Sequence, residues 1–120
     1  MSLHEFEIEP EVREWLDTLS ASDYKRVDEV AGMLAACGTD MPGSLAKPLG
    51  GGVWELRVRI RDGAVAARVT YWFAPGRVVF LTVFRKTRQH EEDEVQRARG
   101  ARKVCERDHG TAADSYRRTV

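Results

Sequence analysis

Cysteine pairs, histidine clusters and long apolar runs are all missing from the sequence. Cys37 and Cys105 stand apart rather than in a CxxC pattern, and the three histidines show no metal-ligand spacing. No apolar run approaches the roughly 18 to 20 residues of a membrane span, and none is typical of a signal peptide. These absences predict a cytoplasmic protein with reduced thiols, no membrane contact, and no metal ion or other cofactor.

The length of the chain suits one compact domain. Its 120 residues, 42% of them hydrophobic, can bury one core but are too few for two independent domains. We therefore expect a single domain over residues 1–109. The polar residues 110–120 are expected to form a flexible tail.

Charge is balanced in total but not along the chain. Residues 1–46 carry ten acidic and three basic side chains, a net charge of −7. Residues 47–88 carry nine basic and two acidic side chains, a net charge of +7. The second segment is therefore a candidate anion-binding surface.

The succession of hydrophobic patterns predicts an α+β fold. In chain order, the predicted elements are a strand in residues 4–10, helices over 11–20 and 22–37, strands at 53–60, 66–73 and 78–85, and a helix over 91–107. Ser20 is expected to close the first helix, Ser22 or Asp23 to cap the second, and Gly38 to end it. Residues 38–52, rich in glycine and proline, are expected to form a loop. We thus expect a small antiparallel meander sheet with an N-terminal strand, a two-helix hairpin packed on one face, and a C-terminal helix.

Short turns predict the register of the meander. If RDGA forms the first loop, paired residue numbers sum to 125 and Arg57 lies opposite Arg68. If PG forms the second turn, Arg68 lies opposite Val83 and Ala66 opposite Arg85. The arginines expected on one face of the sheet are then Arg57, Arg59, Arg68 and Arg85.

This row of arginines favours an anionic ligand over simple solvation. Like charges directly across a strand pair are destabilising, so a merely solvated face would more naturally alternate the sign of charge across Arg57 and Arg68. The planar guanidinium also matches two phosphate oxygens at once. The pattern therefore predicts phosphate binding on this face.

A resemblance to a known family is carried by the segment KPLGGGVWELRVRIRDGAVAARVTYWFAPGRVVFLTVFRKTRQ. It resembles the RelE/ParE superfamily of bacterial toxins, most closely the HigB-like, phage-derived branch. The matching motifs are Lys47-Pro48-Leu49, Trp54-Glu55-Leu56-Arg57, Arg68-Val69-Thr70-Tyr71 and Phe84-Arg85-Lys86-Thr87. The resemblance covers roughly residues 3–107 and implies a RelE-like fold.

The resemblance also implies a function. Such toxins are small endoribonucleases, or mRNA interferases, that enter the ribosome, cut messenger RNA without a metal ion and so inhibit translation. Each is silenced by a cognate antitoxin, here expected to be a helix-turn-helix protein that forms a hetero-oligomer with the toxin. The implied partners are therefore the ribosome, mRNA and the antitoxin.

Site residues follow from the same resemblance, motif by motif. The implied catalytic residues are Arg57, Arg68, Arg85 and Lys86. The implied RNA-binding residues are Lys47, Arg59 and Arg88. The candidates for the acid or base that moves protons are Glu55, Lys86 and His90.

Two other functions remain open on sequence grounds. The same scaffold is used by ParE-like toxins, which inhibit DNA gyrase without cutting RNA. A degenerate, non-catalytic member would act only as an antitoxin-binding protein. The retained arginines favour the ribonuclease.

Overall fold

The computed structural model describes residues 6–87 and 91–107. Its elements, in chain order, are β1 (Glu7–Ile8), α1 (Pro10–Thr18), α2 (Ala21–Cys37), β2 (Ala46–Gly50), β3 (Val53–Ile60), β4 (Val65–Ala74), β5 (Arg77–Arg85) and α3 (Glu91–Arg107). The expected tail at 110–120, together with Arg88 and His90, lies outside the described residues. No helix within the two described ranges is long and apolar enough to cross a membrane.

The strands form one sheet in the order β1-β5-β4-β3-β2. β1 runs parallel to β5, and every other neighbouring pair is antiparallel. The predicted α+β fold is confirmed, with its meander, N-terminal strand, helical hairpin and C-terminal helix. The C-terminal helix has the bounds that the sequence predicted.

An edge strand occupies part of the segment that was predicted as a loop. β2 pairs with β3 and places Lys47 beside Glu55, with a shift in pairing between Pro48 and Gly50. Proline and glycine are depleted from central strands but are tolerated at a sheet edge. The composition of this segment therefore concealed the strand.

The helical hairpin packs on one face of the sheet. Buried side chains of α1 and α2, among them Val12, Leu16 and Leu34, form a core with Leu56 and Tyr71 from the strands. Burial without a hydrogen-bonding partner in the described part of the chain raises the pKa of Tyr71 to about 12. Tyr71 is thus a core residue, and its hydroxyl stays protonated at neutral pH.

The start of the second helix differs from the prediction. Ser20 does not close the first helix but caps α2, because its Oγ accepts a hydrogen bond from the Asp23 backbone nitrogen at 3.1 Å. The Asp23 carboxylate is then free to accept a hydrogen bond from the Arg61 backbone nitrogen at 2.9 Å. This contact ties the β3–β4 turn to α2. Gly38, with φ of 57°, ends α2 as predicted.

The C-terminal helix lies on the other face of the sheet. Ala98 and Cys105 of α3 pack against Val53, Trp72 and Leu81 in a second apolar cluster. Burial raises the pKa of the Cys105 thiol, so this cysteine behaves as a small apolar residue. The face that carries the arginines is therefore partly covered by α3.

A β-bulge makes the register of the last strand, β5, differ from the prediction. Between β3 and β4 the prediction is confirmed, with Arg57 opposite Arg68. Between β4 and β5 the pairing shifts by one residue past Val69, so Arg68 lies opposite Phe84, and Arg85 opposite Ala67. The predicted pairings of Arg68 with Val83 and of Ala66 with Arg85 are wrong.

The bulge has a structural cause at Thr70. Leu81 packs in the apolar cluster under α3, while the next residue, Thr82, bonds the Thr70 hydroxyl on the same side of the sheet. The Thr82 backbone nitrogen also donates to the Thr70 Oγ1 at 3.1 Å. Two consecutive residues of β5 therefore face one residue of β4, which reverses the direction of every side chain that follows.

Candidate phosphate-binding site

Four basic residues come together on the α3 side of the sheet and are called the basic cluster: Lys47, Arg57, Arg68 and Lys86. Arg57 and Arg68 are directly opposite each other on β3 and β4. Lys47 is contributed by β2, and Lys86 follows β5, where its backbone nitrogen donates to the Ala66 carbonyl at 2.8 Å. Four separate segments thus supply the positive charge.

A buried carboxylate holds the two arginines. Glu55 is fully buried, and its Oε2 lies 3.0 Å from the Arg57 Nε and 3.6 Å from the Arg68 Nε. The other oxygen, Oε1, is buried and has no hydrogen-bonding partner among the described residues. Because Glu55 has no exposed surface, its position suits it to orient the guanidiniums rather than to contact a ligand.

Arg68 is the more enclosed of the two arginines. Its side chain is 11% exposed, against 32% for Arg57, and its Nη1 donates to the Ala67 carbonyl at 3.3 Å. Burial lowers the pKa of Arg68, and the neighbouring Glu55 acts in the opposite direction. An arginine remains charged after such a shift, since its ordinary pKa is far above neutral pH.

An ion pair borders the cluster at the start of α3. The Lys86 ammonium donates to the Glu91 carboxylate, and both side chains are more than one-third exposed. The hydrogen bond from Lys86 lowers the pKa of Glu91, and Lys47 and Arg68 lower it further. Glu91 was not among the residues predicted for the site. Its signal in the sequence was an acid in the first turn of a helix, five residues after Lys86.

Two other predicted site residues, Arg59 and Arg85, lie farther from the centre of the basic cluster. Arg59 is exposed, and its Nη1 donates to the Gly63 carbonyl at 3.1 Å, so it borders the cluster at the β3–β4 turn. Arg85 points to the opposite face, where it lines a cavity of about 670 Å³ with Trp15, Asp23 and Val83. The bulge therefore removes Arg85 from the group that was expected to act together.

The chemistry of the cluster suits a phosphate. Two guanidiniums held side by side present several N–H donors to the oxygens of one phosphate. In residues 6–87 and 91–107, no three His, Cys, Asp or Glu side chains converge as metal ligands would. Lys86 and Glu91 bring a paired ammonium and carboxylate, both partly exposed, to the border of the cluster.

Comparison with known proteins identifies a family. A family model described as phage derived protein Gp49-like (DUF891) matches residues 14–103, which include every member of the basic cluster. The search of curated proteins finds no match. The matched span runs from α1 into α3, so it covers the whole site.

Proposed function

The chain belongs to the Gp49-like family of phage-derived, toxin-like proteins, and we propose that it is a HigB-like toxin that cuts messenger RNA at the basic cluster. The observation that carries the proposal is the direct opposition of Arg57 and Arg68 on one face, held by the buried Glu55. Glu55 supplies one negative charge against the two guanidiniums, so the pair keeps a net positive charge that a further anion can neutralise. A backbone phosphate is an anion whose shape fits them.

In the proposed reaction, the 2′-oxygen attacks the neighbouring phosphorus and the 5′-oxygen leaves. Arg57 and Arg68 stabilise the charge that grows on the phosphate oxygens, as preorganised donors do in other phosphoryl and acyl transfers. The products are a 2′,3′-cyclic phosphate and a free 5′-hydroxyl. No step needs an oxidant, a reductant or a metal ion.

The proton transfers are assigned to the exposed ion pair. The Glu91 carboxylate accepts the proton of the 2′-hydroxyl, and the Lys86 ammonium gives a proton to the leaving 5′-oxygen. The position of Glu91 supports this role, because its partly exposed carboxylate lies at the border of the basic cluster and is ionised at neutral pH. The lowered pKa weakens Glu91 as a base, so its contribution comes from position rather than from basicity. Solvent exchange then restores both groups.

Partners follow from the same proposal. The substrate is mRNA on the ribosome, and a cognate helix-turn-helix antitoxin silences the toxin in the cytoplasm by forming a hetero-oligomer with it. The separation of acidic and basic segments along the chain supports an oriented approach of the protein to the ribosome. The segment 1–46, with its net charge of −7, supplies the helical hairpin on the face opposite the basic cluster. Repulsion from ribosomal RNA would orient the basic face toward it.

The test is inducible expression of wild type and single-residue variants, with growth and primer extension on translated messages as readouts. Arg57→Ala and Arg68→Ala are expected to lower the rate of cleavage about 100-fold or more, the usual effect of removing a donor to the developing charge. Arg26→Ala, an exposed residue of α2, is the matched control. Arg85→Ala should cut like the control because its side chain faces away from the cluster.

The same experiment separates the other two functions. Undiminished cleavage in folded Arg57→Ala and Arg68→Ala would refute the proposed site. DNA cleavage complexes without RNA cuts would indicate a ParE-like gyrase inhibitor. Unaffected growth on expression of the wild type would indicate a protein that only binds its antitoxin.

A further inference from the structure

A second basic groove lies where α3 crosses the turn between β2 and β3. The cavity there has a volume of about 510 Å³. Its lining, here called the glycine-turn groove, consists of Gly51, Gln96, Arg99, Gly100, Arg102 and Lys103. Every side chain in this lining carries hydrogen-bond donors, and none carries a carboxylate. A concave surface with charge of one sign concentrates ligands of the opposite sign.

Glycine at the turn lets two arginines lie against the backbone. A Cβ at Gly50 would lie 2.8 Å from the Arg99 Nη2, and one at Gly52 would lie 3.0 Å from the Arg102 Nε. Both glycines also have positive φ, of 86° and 77°. A side chain at either position would thus be strained and would push the guanidinium out of the groove.

Both guanidiniums are held in place by the fold. Arg99 donates to the Leu49 carbonyl, and the Arg102 guanidinium lies 4.8 Å from the centre of the Trp72 ring while it pairs with Glu106 at 3.0 Å. A cation over an aromatic ring keeps its charge and its remaining donors. The groove is therefore preorganised before any ligand arrives.

The groove carries more positive charge than the neighbouring carboxylates neutralise. In the described part of the chain, Glu106 is paired with Arg102, whereas Arg99 and Lys103 make no ion pair with a carboxylate. Lys103 is also exposed. Two cations are left for an anion to bind.

The groove lies near the basic cluster. Lys47 belongs to the cluster and lies on β2, three residues before the first glycine of the turn. Along α3, Arg99 is eight residues beyond Glu91, which corresponds to about 12 Å. An extended single strand that has one phosphate in the cluster can reach the groove within a few nucleotides.

We propose that the glycine-turn groove binds a backbone phosphate of the same RNA strand whose scissile phosphate lies in the basic cluster. This inference rests on the proposed function and adds a second contact to it. The planar fork of the arginine guanidinium favours phosphate, and the nearness of the groove to the cluster favours RNA over an acidic protein segment. The groove contributes affinity and alignment of the strand rather than chemistry.

The experiment measures fluorescence anisotropy with 2′-O-methyl RNA, which cannot be cut. A dinucleotide, which has a single internucleotide phosphate, reports on the cluster, and an RNA of about twelve nucleotides spans both sites. Lys103→Gln is compared with Lys25→Gln, and the double variant Arg99→Gln/Lys103→Gln with Lys25→Gln/Arg26→Gln. Each control removes the same charge as its counterpart, from the exposed side of α2. Matching urea midpoints confirm that the variants are folded. Lys103→Gln decides the test alone if the double variant does not fold.

For the longer RNA, we expect Lys103→Gln to weaken binding about tenfold, and the double variant more, beyond the control. The slope of log affinity against log salt should fall by about 0.7 for each lost phosphate contact. The dinucleotide should bind each groove variant like its control. Equal affinity and slope for Lys103→Gln and the control, or an equal loss with both RNA lengths, would overturn the inference.

Failure of this inference is distinct from failure of the proposed function. If the wild type cuts RNA and the groove variants bind like the control, the groove alone is refuted. If the wild type cuts no RNA but the groove variants lose length-dependent binding, the groove stands and the nuclease is refuted.

Discussion

Replacing Glu55 by glutamine removes the negative charge that holds Arg57 and Arg68 together while it keeps the size of the side chain. The carboxylate is fully buried and lies 3.0 Å from one guanidinium and 3.6 Å from the other. Its loss leaves two like charges directly opposite each other on neighbouring strands. We expect the variant to fold with lower stability and with poorly aligned arginines.

The expected loss of stability can be worked from the burial of the three groups. Removing one partner of a fully buried ion pair costs about 3–5 kcal/mol. Arg57 is 32% exposed, so solvent screens part of its charge and the cost is reduced. The unpartnered Oε1 of Glu55 means that the wild type already carries a desolvation penalty, which lowers the net cost again. The expected net loss in the free energy of unfolding is therefore about 2 kcal/mol.

Urea denaturation measures this loss. With a slope of about 2 kcal/mol per molar urea for a small domain, the midpoint should fall by about 1 M. Glu14→Gln, an exposed carboxylate of α1, is the matched control and should stay within about 0.5 kcal/mol of the wild type. A double variant, Glu55→Gln/Arg57→Gln, should lose about 1 kcal/mol less than the sum of its single variants.

The double variant distinguishes charge from packing. If Glu55 acts by neutralising the arginines, removal of Arg57 relieves the repulsion on Arg68 and the two substitutions are not additive. A midpoint for Glu55→Gln like that of Glu14→Gln, or strict additivity in the double variant, would refute the assigned role of the buried carboxylate.

Two further predictions concern α3 and the turn that it covers. Lys86 lowers the pKa of Glu91 below its ordinary value of 4.5, so the ion pair stabilises the folded protein above that pH and is lost as the pH falls through the lowered pKa. The difference in urea midpoint between wild type and Glu91→Gln should thus be present at pH 7 and shrink below pH 4.5; a constant difference would contradict the assignment. Gly50→Ala should lower the free energy of unfolding by about 1–2 kcal/mol, because the φ of Gly50 is 86° and a Cβ there would meet Arg99. Gly100→Ala is the comparison, because Gly100 lies in α3 with open space around it, and this change should raise the free energy of unfolding by about 0.5–1 kcal/mol in the same urea assay.

Much of the fold was predictable because local patterns encode it. The alternation of apolar and charged residues in VWELRVRI marks a strand, and the four-residue turn that follows determines the register of β3 against β4. For this reason the sequence alone placed Arg57 opposite Arg68. The bounds of α3 followed from acids in its first turn and bases later, the order that the helix dipole favours.

The candidate site was only partly predictable. Lys86 was implied by the family resemblance, and the structure places it on the arginine face. Arg85, implied by the same motif, points to the other face, because two residues of β5 oppose Thr70. A bulge of this kind is set by the packing of Leu81 and the bonding of Thr82, which no alternation pattern reveals.

By itself, the sequence determined the order of the elements other than β2, the register of β3 and β4, and a face rich in arginine. The tertiary structure decided how those arginines are used. It buried Glu55 beside two of them, turned Arg85 away, and brought Glu91 and the glycine-turn groove to the same side through α3. The physical reason is the separation in sequence over which each effect acts. Periodicity and turns act between near neighbours in the chain, whereas the burial of a charge depends on which distant segments pack around it.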